Sequence, residues 1–132
     1  MRNTEMEELI LFAKALSDPL RVRILSALVK SELCVCEMAD AFEVSQSTLS
    51  THLQVLRHAG LVGIEKRRTW IIYRLAENER ARLEHLWKEF HLDNSILKRD
   101  LMRLERRVKL RVDGCCVVGF GALKQETHSG VN

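Results

Sequence analysis

The chain has 132 residues, of which 46% are apolar and 30% charged, and it carries a formal net charge of +3. That composition suits one globular domain able to bury its own core, and it excludes disorder over most of the length. The first residues lack the basic-then-apolar layout of a secretion signal, and no apolar run approaches the ~20 residues that cross a bilayer, so a cytoplasmic location with no membrane partner is expected.

Residues 5 to 16 read as an amphipathic helix, with Met6, Leu9, Ala13 and Leu16 at helical spacing. Ser17-Asp18-Pro19 ends it and starts the next, because Ser17 or Asp18 suits a cap and Pro19 a first turn. The second helix runs to about Lys30 and is apolar around most of its circumference, as a central core helix would be. A short helix over 35 to 42, the turn Glu43-Val44, and a fourth helix capped by Ser45 and stopped by Gly60 make a helix-turn-helix.

In the fourth helix Leu49, Leu53 and Leu56 form the inward stripe, leaving Gln46, Ser47, Ser50, Thr51, Gln54 and Arg57 outward. That face is polar and nearly uncharged. Short amides and hydroxyls there are what hydrogen bonding to base edges and phosphates requires, whereas an ordinary solvated helix carries Glu and Lys.

Residues 61 to 65 and 70 to 76 alternate as two strands, with Lys66-Arg67-Arg68-Thr69 as the hairpin tip. Three successive cations at such a tip point to phosphate or minor-groove contact, or else to a solubilising turn. Charge is distributed unevenly. Residues 1 to 56 carry five basic and eight acidic side chains, a net of −3; residues 57 to 74 carry five basic and one acidic, a net of +4; residues 97 to 111 carry seven basic and two acidic, a net of +5. The last of these stretches reads either as a phosphate contact or as a solvated face.

Helical periodicity returns after Glu77, with Leu83, Leu86 and Phe90 in one segment and Leu97, Leu101, Leu104 and Val108 in the next. The second set steps by four, three and four residues, a seam expected to pack against a partner subunit or the first helix. Residues 1 to 112 are thus read as one DNA-binding and dimerisation domain, and residues 113 to 132 as a flexible tail holding Cys115 and Cys116. The expected fold is mostly α with a β-hairpin wing: a winged helix-turn-helix in the order α-α-α-α-β-β-α.

Cys34 and Cys36 lie where the third helix begins. On a regular helix residues i and i+2 sit ~200° apart and cannot grip one ion, but at an extended helix start alternate residues share a side. A helix N-terminus also favours thiolate over thiol. Thiolates without nearby histidines prefer soft species such as As(III), Sb(III), Cd(II) or Pb(II); three sulfurs suit the first two, four suit Cd(II) or zinc. Cys115 and Cys116 read as further ligands, as a redox pair, or as incidental thiols.

The segments Glu32-Leu33-Cys34-Val35-Cys36-Glu37-Met38-Ala39, Ser45-Gln46-Ser47-Thr48-Leu49-Ser50-Thr51-His52-Leu53 and Leu56-Arg57-His58-Ala59-Gly60-Leu61-Val62 closely resemble the ArsR/SmtB family of metal-responsive repressors. Asp18-Pro19-Leu20-Arg21 and Tyr73-Arg74-Leu75 share the likeness, which covers roughly residues 7 to 90. The resemblance implies a homodimer on palindromic double-stranded operator DNA, released by metal. It implies DNA contacts from Gln46, Ser47, Thr48, Ser50, Thr51, His52, Arg57, Arg67 and Arg68, and metal ligation by Cys34 and Cys36.

Glu-Leu-Cys-Val-Cys is specific to the arsenite-type and cadmium/lead-type branches. The sequence departs from both. Arsenite-type members place a third cysteine where Ala39 stands, and the cadmium/lead type recruits N-terminal cysteines, of which none precedes Cys34. A trithiolate therefore needs Cys115 or Cys116. His91-Leu92-Asp93 does not reproduce the Asp-x-His order of zinc-binding members. No Cys-x-x-Cys, phosphate loop or Cys/His/Asp pairing supports an enzyme. The expected function is release from the operator by As(III) or Sb(III), with Cd(II)/Pb(II) sensing or a thiol redox switch as alternatives.

Overall fold

The computed structural model describes residues 4 to 112 and Gly121. Six helices and three strands follow in the order α1 (Thr4–Ala15), α2 (Pro19–Lys30), β1 (Leu33–Cys34), α3 (Val35–Phe42), α4 (Gln46–His58), β2 (Val62–Arg67), β3 (Trp70–Leu75), α5 (Glu79–Glu89) and α6 (Ser95–Val108). This is the expected winged helix-turn-helix with two additions to the expected order: a third strand before α3, and one further helix after the wing, where the two periodic segments form separate helices. The strand is only two residues long, too short for any period to show.

The helix boundaries follow local chemistry. Asp18 has extended backbone and its carboxylate accepts from the Leu20 and Arg21 amides, at 2.8 and 3.2 Å, with Pro19 opening the first turn of α2. Ser45 accepts from the Thr48 amide at 3.1 Å and starts α4. Glu43 takes the left-handed conformation that closes α3, and Gly60 does the same after α4, where the missing Cβ makes it inexpensive.

The core is centred on Ile24, Leu25 and Leu28 of α2, met by Leu49, Leu53 and Leu56 of α4, Met38 and Phe42 of α3, Leu33 and Leu61. Full burial of each large apolar side chain contributes roughly 2 kcal/mol before entropic costs. The sheet has the antiparallel order β1-β3-β2. Leu33 pairs with Tyr73 and Cys34 with Ile72, and β2 runs beside β3 from Val62 opposite Leu75 to Arg67 opposite Trp70. The hairpin turn is therefore Arg68-Thr69, two residues tighter than the tip expected from sequence. With no glycine there, Arg68 itself adopts the left-handed backbone.

On two helices the core contacts are narrower than spacing suggests. α6 packs on α3 and α2 and buries Leu104 of its leucine seam there, with Val108 partly buried against the core. On α1 it is Phe12 and Ala15 that reach the core, while Met6 and Leu9 are 54% and 65% exposed beside Ile10. Of the residues at that spacing, Met6, Leu9 and Ala13 are exposed, while Leu16, just past the helix, packs against the core. Among the described residues no helix is long and apolar enough to cross a membrane.

Replacing Asp18 by Ala removes two amide acceptors from the head of the core helix. It is expected to cost about 1 kcal/mol, read as a lower urea midpoint at unchanged slope. No measurable change would show that solvent caps α2 equally well.

Candidate nucleic-acid interface and thiol site

The open face of α4 is built as its amphipathic pattern requires. Gln46, Ser47, Thr48, Ser50, Thr51, Gln54 and Arg57 are exposed, and Leu49, Leu53 and Leu56 hold the helix on the core. Several hydroxyls are ordered before any ligand arrives: Ser45 Oγ donates to Thr48 Oγ1 at 2.8 Å, and Thr51 Oγ1 donates to the Ser47 carbonyl at 3.2 Å.

His52 does not share this row. Its Nδ1 lies 3.1 Å from Arg21 Nη1 and 3.8 Å from Asp18 Oδ1, and because a guanidinium only donates, Nδ1 is the acceptor. Arg21 also donates to the carbonyls of Ala15 and Lys14, both at 2.9 Å. His52 therefore ties α4 to the corner between α1 and α2.

At the wing the three cations part ways. Lys66 and Arg68 are exposed, whereas Arg67 turns back onto Glu32 at 2.6 Å and Glu65 at 2.7 Å. Hydrogen bonds from those two carboxylates raise the Arg67 pKa above its ordinary value. Its charge is largely answered within the chain.

Cys34 and Cys36 converge. Cys34 belongs to β1 and has extended backbone, Cys36 is the second residue of α3, and their sulfurs are 3.0 Å apart, a non-bonded contact. The strand-to-helix switch allows two residues spaced by two to face one point. Cys34 is buried with Ile72, against Trp70 and Cys36, on one side of β3, while Tyr73 and Leu75 on the other side face the main core.

Around the sulfurs runs an ionic lattice. Glu37, fully buried, accepts from the Cys34 amide at 3.0 Å and from Arg111 through both oxygens, at 2.6 and 2.7 Å. Asp40 accepts from Arg107 Nε at 2.7 Å and from the Gly121 amide at 2.6 Å, and Arg107 Nη2 lies 3.7 Å from Cys36 Sγ. Arg103 donates to the carbonyls of Ala41 and Asp40, and Arg99 pairs with Glu43.

The Glu37 hydrogen bonds raise the Arg111 pKa, with the nearby Cys34 a smaller contribution; burial, then Arg99 and Arg106, lower that of Arg103. The basic stretch over 97 to 111 is thus neither an open phosphate surface nor a plain solvated face. Four of its arginines are engaged by α3 and the turn after it.

Sequence reasoning missed these partners. The signal was present, since Glu37, Asp40 and Glu43 recur every three residues along α3 and its cap while Arg103, Arg107 and Arg111 recur every four along α6 and the residues just after it, two complementary stripes. Cys115 and Cys116 lie outside the described residues. Among the described residues no three His, Cys, Asp or Glu side chains converge as a metal cage.

The family model described as "Bacterial regulatory protein, arsR family" matches residues 18–63, which hold α2, β1, α3 and α4. A "Transcriptional repressor SmtB homolog" from Synechocystis sp. is 38% identical over 93 residues, covering 69% of this chain and 68% of that protein. The chain belongs to the ArsR/SmtB family. It is a transcription regulator with a DNA-binding helix-turn-helix, not an enzyme.

The "Arsenical resistance operon repressor" of Bacillus subtilis is 42% identical over 67 residues, 50% of this chain and 64% of that protein. This chain thus spans about two thirds of the length of these two relatives. Among solved structures, the homodimeric winged helix-turn-helix DNA-binding domain of a possible ArsR-family regulator from Mycobacterium bovis superposes with a TM-score of 0.61 at 31% identity, covering 67% of this chain and 82% of that one. The family model ends at residue 63, so all of the wing but the first two residues of β2, and α5 and α6, lie beyond the residues it matches.

Proposed function

We propose that this regulator is a repressor that binds operator DNA as a homodimer and leaves it when As(III) or Sb(III) is captured by cysteine thiolates. The observation that carries the reading is the 3.0 Å approach of Cys34 Sγ and Cys36 Sγ at the head of α3. With metal-sulfur bonds of about 2.3 Å, two thiolates on one ion stand roughly 3.4 to 3.8 Å apart, so only a small opening is required. Soft donors with no imidazole beside them suit a thiophilic species.

A third sulfur from Cys115 or Cys116 completes the set in this reading. What supports it is that described residues on either side of that pair meet α3, the helix that carries Cys36: Arg111 is held by Glu37 and Gly121 by Asp40. Resemblance to an arsenical resistance operon repressor favours the metalloid over Cd(II) or Pb(II).

Release follows from packing. Opening the sulfurs displaces the junction of β1 and α3, and α3 packs on α4 through Met38 and Phe42. A shift of that interface moves the row from Gln46 to Arg57 relative to the major groove, where a small misplacement forfeits several hydrogen bonds at once. Dimerisation in this reading uses the apolar face of α1 that the single chain leaves open.

Cys34→Ser and Cys36→Ser are each expected to keep apo operator affinity and to lose release by antimonite, measured by fluorescence anisotropy on a palindromic promoter fragment. Equal release in both variants and in the unaltered protein would overturn the reading.

At the wing, Arg68→Ala should weaken binding to all sequences alike and lower the salt slope by about one. Arg67→Ala should change it less, because Arg67 is already paired; equal slopes would mean that Arg67 leaves Glu32 and Glu65 for phosphate. Changes at Gln46 or Ser47 should alter base preference instead, and uniform loss across operator variants would remove them from base readout.

A further inference from the structure

We infer that Arg107 and Arg111 are specificity-determining residues of the thiol site: by occupying Asp40 and Glu37 they withhold the carboxylates that a divalent soft cation would recruit beside Cys36 and Cys34. The inference rests on the thiol reading above and adds to it a reason for metalloid over cation.

Both carboxylates are placed where ligands would be useful. Asp40 follows Cys36 by four residues on α3, and so lies one turn along the same face, and Glu37 holds the amide of Cys34 directly. Both are buried, and every oxygen is taken. Asp40 Oδ2 accepts from Arg107 and Oδ1 from the Gly121 amide; Glu37 Oε2 accepts from Arg111, and Oε1 from Arg111 and Cys34. Arg107 is fully buried between Asp40 and Cys36, with its guanidinium reaching both.

Cd(II), Pb(II) and Zn(II) seek additional oxygen or nitrogen donors once two or three thiolates are bound. The nearest acids are engaged by cations that cannot be deprotonated. A trivalent metalloid hydroxide needs neither acid. At each thiol one metalloid–oxygen bond breaks, one metalloid–sulfur bond forms, and the thiol proton leaves with the hydroxide as water; the oxidation state stays at three. Starting from protonated thiols, the exchange adds no net charge beside the ion pairs Arg107–Asp40 and Arg111–Glu37.

The test titrates the reduced full chain, Arg107→Gln, Arg111→Gln and the double variant Arg107→Gln/Asp40→Asn with antimonyl tartrate and with cadmium chloride. Binding is followed by sulfur-to-metal charge-transfer absorbance under chelator competition, without DNA. Each single variant should raise cadmium affinity relative to antimonite by about tenfold or more, the size of effect that groups just outside a metal's ligands exert. The double variant, which lacks the freed carboxylate at Asp40, should return to the unaltered ratio. Should Arg107→Gln fail to fold, Arg111→Gln carries the same comparison at a position 17% exposed.

A parallel loss of both affinities, as a merely structural role would give, or a cadmium gain that survives in the double variant, would overturn the inference. If the unaltered protein takes no antimonite onto its thiols, the functional reading falls as well, a result distinct from antimonite binding with an unmoved ratio.

Discussion

Two carboxylates buried on one short helix constrain the rest of this molecule. Glu37 and Asp40 lie on α3, an eight-residue helix that also carries Cys36 and leads into the recognition helix. Taking such groups out of water costs several kcal/mol each, more than an apolar core this size can offset casually, unless cations and amides meet them in good geometry. The chain meets them with α6 and the residues just after it. Arg107 and Arg111 reach Asp40 and Glu37, and Arg103 closes the helix end by binding the carbonyls of Asp40 and Ala41. Such a lattice contributes little net stability compared with apolar replacements of the same shape. Its effect is on register: the two helices fit in only one alignment, because stripes of period three and four coincide over a short span.

That register fixes the surroundings of the thiols. Cys34 is positioned by an antiparallel pairing with β3 and by the carboxylate of Glu37 on its amide, and Cys36 by the first turn of α3. Neither position depends on a loop. The pair is supported on strand, helix and buried ion pair from three directions, and the proposed capture would therefore carry a low ordering cost.

Much of this was legible in the residues. The caps at Asp18 and Ser45, the stop at Gly60 and the leucine stripe of α4 are local signals, and local signals survive folding. The extended start of α3 was also foreseen as the condition for Cys34 and Cys36 to meet. Contacts between distant parts of the chain were not. The period of the α6 leucines announced a packed stripe without saying that α3 and α2 take Leu104, and Met6 and Leu9, spaced with Leu16 on one face, are exposed in the single chain. Arg67 looked like a free cation because its partner Glu32 stands 35 positions away in sequence. Arg111 meets Glu37 across a still longer separation, and pairing of that kind is decided by tertiary geometry rather than by any window of residues.

The sheet order carries one more implication. Because β3 lies between β1 and β2, the hairpin whose tip holds Lys66 and Arg68 shares a hydrogen-bonded ladder with the two residues that end in Cys34. Arg67 adds a strut from the hairpin to Glu32, just before that strand. Thiol pair and wing are consequently leaves of a single pleated sheet, so that in the proposed mechanism a tilt at the sulfur end reaches the cationic tip along hydrogen-bonded strands rather than through the hydrophobic interior.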